Sequence, residues 1–347
     1  MTDLQSMIKF LSEYDGETIR IMEVCGTHTA AISENGIPQL VSPKIKLVSG
    51  PGCPICVTVA SYIDRLIELA STPDTCVVTF GDMIRICGTE KSLRDASAEG
   101  AKVIMVYSPF EIIKLAEENK NTIFVFAAVG FETTTPIYAL LVKKIVESNI
   151  QNIRLLTALK TMPAVIDILC SQGIEVDGFI APGHVSVITG SDIFTPLAEK
   201  YNLPFVVSGF EGKDLVEAIY TITKLKNKCK VINLYTEAVS TQGNEKSKKL
   251  TYEYFTPYSA SWRGLGLIEN SGMVLRDEYR YLDAGSYELT DDNTNATGCR
   301  CSDVICGRIS PSDCGLFGKT CTPENPQGAC MVSTEGSCFN YFVNKRV

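Results

Sequence analysis

Phe126-Ala127-Ala128-Val129-Gly130-Phe131-Glu132 decides the fold, and a second run, Phe205-Val206-Val207-Ser208-Gly209-Phe210-Glu211, echoes it. Each begins with unbroken apolar residues, the pattern of a parallel strand covered on both faces, and each ends in glycine, phenylalanine and a carboxylate. Phe80-Gly81-Asp82 is a weaker third copy. Working outward, a short amphipathic helix near Leu4 to Tyr14 precedes β-rich runs at residues 18–24, 46–49, 75–80, 102–107, 122–127, 153–158, 178–181 and 204–208. The spacing leaves room for crossover helices, so the pattern predicts an α/β fold with mainly parallel sheets flanked by helices.

From about Asn270 the strand–helix rhythm stops, and beyond Asp291 turn formers and cysteines dominate. Such a segment is too poor in aliphatic residues to build its own core, so a bound metal is expected to organise it. The division expected is therefore two similar α/β domains, 1–118 and 119–269, followed by a small cysteine-rich domain, 270–347. Residues 240–249 are read as a solvated loop.

Composition narrows the function. The 347 residues are 45% hydrophobic, enough for sizeable cores. A net charge of −8, with no long Lys/Arg run, argues against nucleic acid as a partner. The first residues lack the layout of a signal peptide, and no apolar run approaches a membrane span, so a cytoplasmic protein with no membrane association is expected. In a reducing compartment fourteen cysteines are not a static disulfide framework; metal binding, catalysis and core packing remain.

Seven of those cysteines, Cys299, Cys301, Cys306, Cys314, Cys321, Cys330 and Cys338, lie in the last forty-nine residues. Cys299, Cys314, Cys321 and Cys338 supply four thiolates, with Cys301, Cys306 and Cys330 as rivals. Soft thiolates suit iron–sulfur clusters and zinc alike, and the spacing matches neither a zinc ribbon nor a ferredoxin.

Two motifs lie far upstream. Cys53-Pro54-Ile55-Cys56, after Gly50-Pro51-Gly52, precedes an apolar segment, residues 57–69, read as a helix. At a helix N-terminus its first thiol would be acidified and the pair could cycle between dithiol and disulfide. Half of a metal site and a structural pair are the rival readings, and the Gly-Pro-Gly argues for close backbone approach to something. Cys25, in Cys25-Gly26-Thr27-His28, is also placed at a helix start, in conditions for a thiolate. The chain has two histidines, His28 and His184, both in glycine-containing motifs at expected strand ends. Glu132 is a candidate proton acceptor, while Thr133 to Thr135 read as helix caps. Because ligands gather at the carboxyl ends of strands, Cys25, Cys53, Cys56, Glu132 and His184 could face one cleft. Cys76, Cys87, Cys170 and Cys229 read as small buried hydrophobes.

Taken in order, Met22 to Thr29, Gly50 to Thr58, Gly130 to Thr134, Pro182 to Ser186, Trp262-Arg263-Gly264-Leu265-Gly266 and Cys314 to Cys338 resemble the signature series of the [NiFe]-hydrogenase maturation factor HypD family. The resemblance covers nearly the whole chain. It implies two similar α/β domains and a C-terminal [4Fe-4S] domain, and work with HypC to build the Fe(CN)2CO group of the hydrogenase, cyanide arriving from HypE as a thiocyanate. It further implies Cys25 as the protein thiolate on the iron being assembled, Cys53 and Cys56 as the redox pair, and Cys299, Cys314, Cys321 and Cys338 as cluster ligands. His28 and Glu132 would manage protons or orient ligands. The chain would then be a metallocentre-assembly scaffold with redox activity. Two departures stand out: Ile55 where the family pattern has Val, and Cys306, an extra thiol. The rival from another class is a thiol-disulfide oxidoreductase with a zinc-stabilised C-terminal domain.

Overall fold

The computed structural model describes residues 3–290 and 298–344. Its strands, in chain order, are β1 Ile19–Glu23, β2 Ile45–Ser49, β3 Thr75–Thr79, β4 Val103–Met105, β5 Ile123–Gly130, β6 Ile153–Lys160, β7 Gly178–Pro182, β8 Pro204–Ser208, β9 Lys230–Asn233, β10 Phe255–Trp262 and β11 Gly266–Leu275. They form two sheets, β2-β1-β7-β8-β9 and β10-β11-β6-β5-β3-β4. The first is parallel throughout. The second is parallel from β4 to β6, and β10 and β11 add an antiparallel hairpin. The expected α/β class, with two mainly parallel sheets flanked by helices, is what the chain adopts.

The unbroken apolar runs are the central strands. Every residue of β7 and of β8 is buried, as is all of β5 after Ile123. Covered on both faces, these positions have no use for polar alternation. In the first sheet Ile19, Ile21, Ile180 and Val206 pack with Leu215, Ile219 and Ile222 of the helix Gly212–Lys224. In the second, Val78, Phe124, Phe126 and Leu155 pack with Tyr138, Leu141, Val142 and Ile145 of the helix Thr135–Glu147. Among the described residues no helix is long and apolar enough to cross a membrane.

The chain divides into two compact units, but not at the contiguous boundaries expected. Unit 1 comprises Met1–Cys53, Val165–Glu245 and Gly298–Val347, and unit 2 comprises Pro54–Ala164 and Lys246–Thr297. The cause is pairing: β1 bonds to β2 on one side and to β7 on the other, Ile21 opposite Gly178, so the chain returns to its first sheet after building most of the second. The cysteine tail, expected as a third domain 270–347, begins structurally at Gly298 and belongs to unit 1; residues 291–297 lie outside the described residues.

Each sheet is wound alike. Numbered within its own unit, unit 1 has strand order 2-1-3-4-5, and the parallel part of unit 2, β4-β3-β5-β6, has order 2-1-3-4. The echoed motifs are therefore not topological equivalents: β5 is the third strand of its unit and β8 the fourth. The equivalent of β5 is β7, which pairs Glu132 with His184 by position, and Cys25 after β1 with Gly81-Asp82 after β3.

Candidate functional site

In unit 1 the winding reverses between β1 and β7, and open α/β sheets bind ligands beyond the carboxyl ends of strands at such a reversal. Cys25 follows β1 as the N-cap of the helix Gly26–Glu34, in extended conformation, as the sequence predicted. Gly183-His184 follows β7 and opens the helix Gly183–Thr189.

The loop around Cys25 is held by groups the sequence reading passed over. Glu23 is 2% exposed, and its carboxylate accepts the backbone N–H of Cys25 at 2.9 Å and the hydroxyl of Thr29 at 2.5 Å. Burial pushes the Glu23 carboxyl up to about 7, against the pull of the Thr29 and Cys25 hydrogen bonds. Gly52 packs backbone to backbone on the same loop. Its carbonyl accepts the N–H of Gly26 at 3.0 Å, and a Cβ on Gly52 would lie 2.3 Å from Cys25 N. The close approach expected of Gly-Pro-Gly is therefore to Cys25 itself. Gly26 similarly admits the tail: a Cβ there would lie 2.5 Å from Glu335 Cβ. No spacing rule marks Glu335, since it lies 310 residues away in sequence and meets Cys25 only through the fold.

Burial raises the Cys25 thiol to about 12; the N–H groups of His28 and Thr27 oppose this, while Glu23 and Glu335 add to it. The thiolate expected from helix position alone is corrected here: desolvation outweighs the helix terminus, and the free side chain is a neutral thiol. A bound iron would displace that proton.

His28 is fully buried, with Nε2 3.0 Å from the Gly209 carbonyl oxygen. A carbonyl accepts only, so Nε2 carries the hydrogen and Nδ1 is left as a buried acceptor with no partner among the described residues. Burial lowers the ring to about 4, so His28 is neutral at physiological pH. Phe210 lies between the two histidines, 4.8 Å from the His28 ring and 4.0 Å from that of His184. His184 is the exposed member. Cys25, His28 and His184 thus gather at the carboxyl edge of one sheet.

In the tail of unit 1, Cys299, Cys314, Cys321 and Cys338 line one cavity together with Cys301 and Cys330. The other lining residues are Val304, Phe317, Gly328 and Met331, so no carboxylate or imidazole competes with sulfur. Cys301 Sγ and Cys330 Sγ are 2.8 Å apart. A Cβ on Gly328 would lie 2.8 Å from Cys299 Sγ and 3.5 Å from Cys301 Sγ, so the glycine keeps the space beside the sulfurs open. In donor chemistry, an all-sulfur lining is the kind that a thiolate-held cluster uses. Cys306 is fully buried but stands apart, beside a different pocket lined by Arg20, Gln172 and Arg308.

Unit 2 carries the remaining candidates. Cys56 is 2% exposed and disulfide-bonded, as is Cys53 on the unit 1 side of the boundary. The pair does not stand at a helix N-terminus. The Thr58 hydroxyl donates to the Pro54 carbonyl at 2.8 Å and the Thr58 N–H to that of Ile55 at 3.2 Å, holding a turn, and the helix begins only at Ala60 and runs to Ser71. Helix-dipole acidification of Cys53 is thereby withdrawn, because the effect fades within one turn. Glu132 accepts the N–H of Met162, first residue of the helix Met162–Ser171, at 2.8 Å through Oε1. Oε2 is buried without a partner among the described residues, and burial raises the carboxyl to about 7. Thr135 Oγ1 bonds back to the Phe131 carbonyl at 3.0 Å, and Thr134 at the N-cap makes no side-chain cap bond. Of the four cysteines read as buried packing, Cys76 is buried and Cys170 half-buried, whereas Cys87 and Cys229 are exposed.

The HypD family profile, described as "Hydrogenase formation hypA family", matches residues 2–345. The chain is 39% identical over 335 residues to a putative hydrogenase expression/formation protein of Methanocaldococcus jannaschii, covering 95% of this chain and 93% of that one. It is 39% identical over 339 residues to the hydrogenase maturation factor HypD of Azotobacter vinelandii, with 94% and 89% covered. With its Escherichia coli K12 counterpart of the same name the identity is 37% over 349 residues, covering 98% and 92%. By this match along almost its entire length, the chain belongs to the HypD family.

Proposed function

We propose that this chain is a scaffold on which the Fe(CN)2CO group of a [NiFe]-hydrogenase is assembled, with Cys25 as the protein ligand of the iron cargo. The observation that carries this reading is the placement of Cys25: at the winding reversal of its sheet, at the start of the helix that carries His28, with its backbone N–H fixed by Glu23. A small HypC-like partner would share the iron, and a HypE-like protein would deliver cyanide as a thiocyanate. Cleaving the S–C bond of a thiocyanate so that cyanide passes to iron leaves the donor sulfur two electrons short. Oxidation of Cys53 and Cys56 to a disulfide releases two electrons and two protons; the donor sulfur takes both electrons and one proton as it returns to a thiol, and the second proton goes to solvent. His28, neutral and with Nδ1 free to accept, and Glu132, with a carboxyl poised near neutrality, suit proton handling.

Cys299, Cys314, Cys321 and Cys338 are the proposed holders of a [4Fe-4S] cluster, which would supply electrons singly for re-reducing the Cys53–Cys56 disulfide. Cys301 and Cys330 line the same cavity and are the alternatives for any of the four. Cys56→Ala is expected to keep the cluster and stop cyanide addition, read as full iron and sulfide content with no new cyanide infrared bands on the chain. Cyanide addition at the normal rate in this variant would exclude the thiol pair as reductant.

A further inference from the structure

Arg263 lies in the Trp262-Arg263-Gly264-Leu265-Gly266 motif, to which the assembly chemistry gives no task. It is 7% exposed. Its backbone N–H donates to the Val57 carbonyl at 2.9 Å and its Nε to the Thr58 carbonyl at 2.8 Å, so it grips the two residues that follow Cys56. Its Nη2 is buried and has no acceptor among the described residues. Its charge reaches the Cys87 thiol, where it opposes burial and the charge of Asp95. The anchoring is firm, since Trp262 is fully buried, donates from Nε1 to Ser271 Oγ at 2.8 Å, and stacks with Phe131 at 6.1 Å.

A guanidinium is always charged and costly to bury unpaired. A fold that buries one against the backbone beside a disulfide, with a donor left over, has a positive charge in place for a negative one that forms later. Opening the disulfide creates such a charge, because two electrons from a dithiol-class or cluster donor convert it to two sulfurs that take up protons or remain as thiolate. We propose that Arg263 is the positioning residue of the redox pair: it fixes the Val57–Thr58 arm and favours the reduced form of Cys56 through its charge. The inference rests on the reading of Cys53 and Cys56 as a redox couple.

The test is the midpoint potential of the couple in the full chain, equilibrated against dithiol/disulfide buffers and read by mass after thiol alkylation. Arg263→Gln is expected to lower the equilibrium constant for reduction about tenfold, roughly 30 mV more negative for a two-electron couple. Arg263→Lys, which keeps the charge, is expected to stay within about threefold of the parent chain. Arg263→Met, uncharged and of similar length, replaces the Gln variant should that chain not fold. A Gln or Met variant with parental secondary structure and parental potential would reduce Arg263 to a structural clamp. A Lys shift as large as the Gln shift would overturn the role of charge. A parent pair that never opens across the buffer range would remove the redox reading and this inference together, whereas a parent pair that cycles while the variants do not shift removes the inference alone.

Discussion

Gly52→Ala is expected to cost about 3 kcal/mol or more of stability and to displace Cys25, although the change adds one methyl group. The new Cβ would lie 2.3 Å from Cys25 N, 2.6 Å from Cys25 Cα and 2.6 Å from the Val24 carbonyl carbon. All three are backbone atoms, so no rotamer change relieves the clash. One of the two loops must move, and either movement breaks the bond from Gly26 N–H to the Gly52 carbonyl. The cost therefore falls on the residue proposed to hold iron. Denaturant unfolding reads the stability, and iron bound per chain reads the site. A variant with the parental midpoint and full iron would show that the loops do not touch as described.

Gly328→Ala is expected to empty the cysteine cavity while leaving both sheets folded. Its Cβ would stand 2.8 Å from Cys299 Sγ and 3.2 Å from Cys301 Cβ. A free cysteine would simply turn aside; one bound to a cluster keeps its place only by holding its rotamer. Anaerobically prepared parent protein is expected to be brown, to contain iron and sulfide in cluster proportion, and to bleach with dithionite. The variant should lose most of that colour, iron and sulfide. A colourless, zinc-containing parent would replace the cluster with zinc and favour the oxidoreductase reading of the Cys53–Cys56 pair.

The strands most legible in sequence are the central ones, β5, β7 and β8, although the runs that became the edge strands β2 and β4 were also found. All eight expected runs are strands, their ends shifted by a few residues, because central positions such as Phe126 and Val206 tolerate only apolar side chains. β9, β10 and β11 were missed because each carries a local feature that breaks the pattern. β9 is short and has no fully buried residue, and β10 contains Pro257, which an edge strand accommodates. β11 takes Asn270 into the left-handed region at φ 52°, and there the rhythm is lost to a reader of sequence. The helix Glu245–Tyr254 was half hidden in a stretch read as loop, since its burial is limited to Thr251 and Tyr254.

The candidate site was legible where chemistry is local and not where it depends on the fold. Cys25 at a helix start follows from a strand, a glycine and a threonine in sequence. Its raised thiol does not, because burial of Cys25, with the charges of Glu23 and Glu335 adding to it, depends on how the chain packs around the loop. The tail cysteines were legible as a group of thiols, whereas the inclusion of Cys301 and Cys330 in one cavity, and the separation of Cys306 from it, needed coordinates.

The central claim is that the iron group is assembled on Cys25. Its most direct test is infrared spectroscopy of the chain copurified anaerobically with its HypC-like partner, comparing the parent with Cys25→Ala. The substitution removes one buried sulfur, a loss of about 1 kcal/mol, so the fold should persist and act as its own control. The account predicts cyanide and carbonyl bands in the parent and none in the variant. Bands of full strength in folded Cys25→Ala would place the iron elsewhere and contradict it.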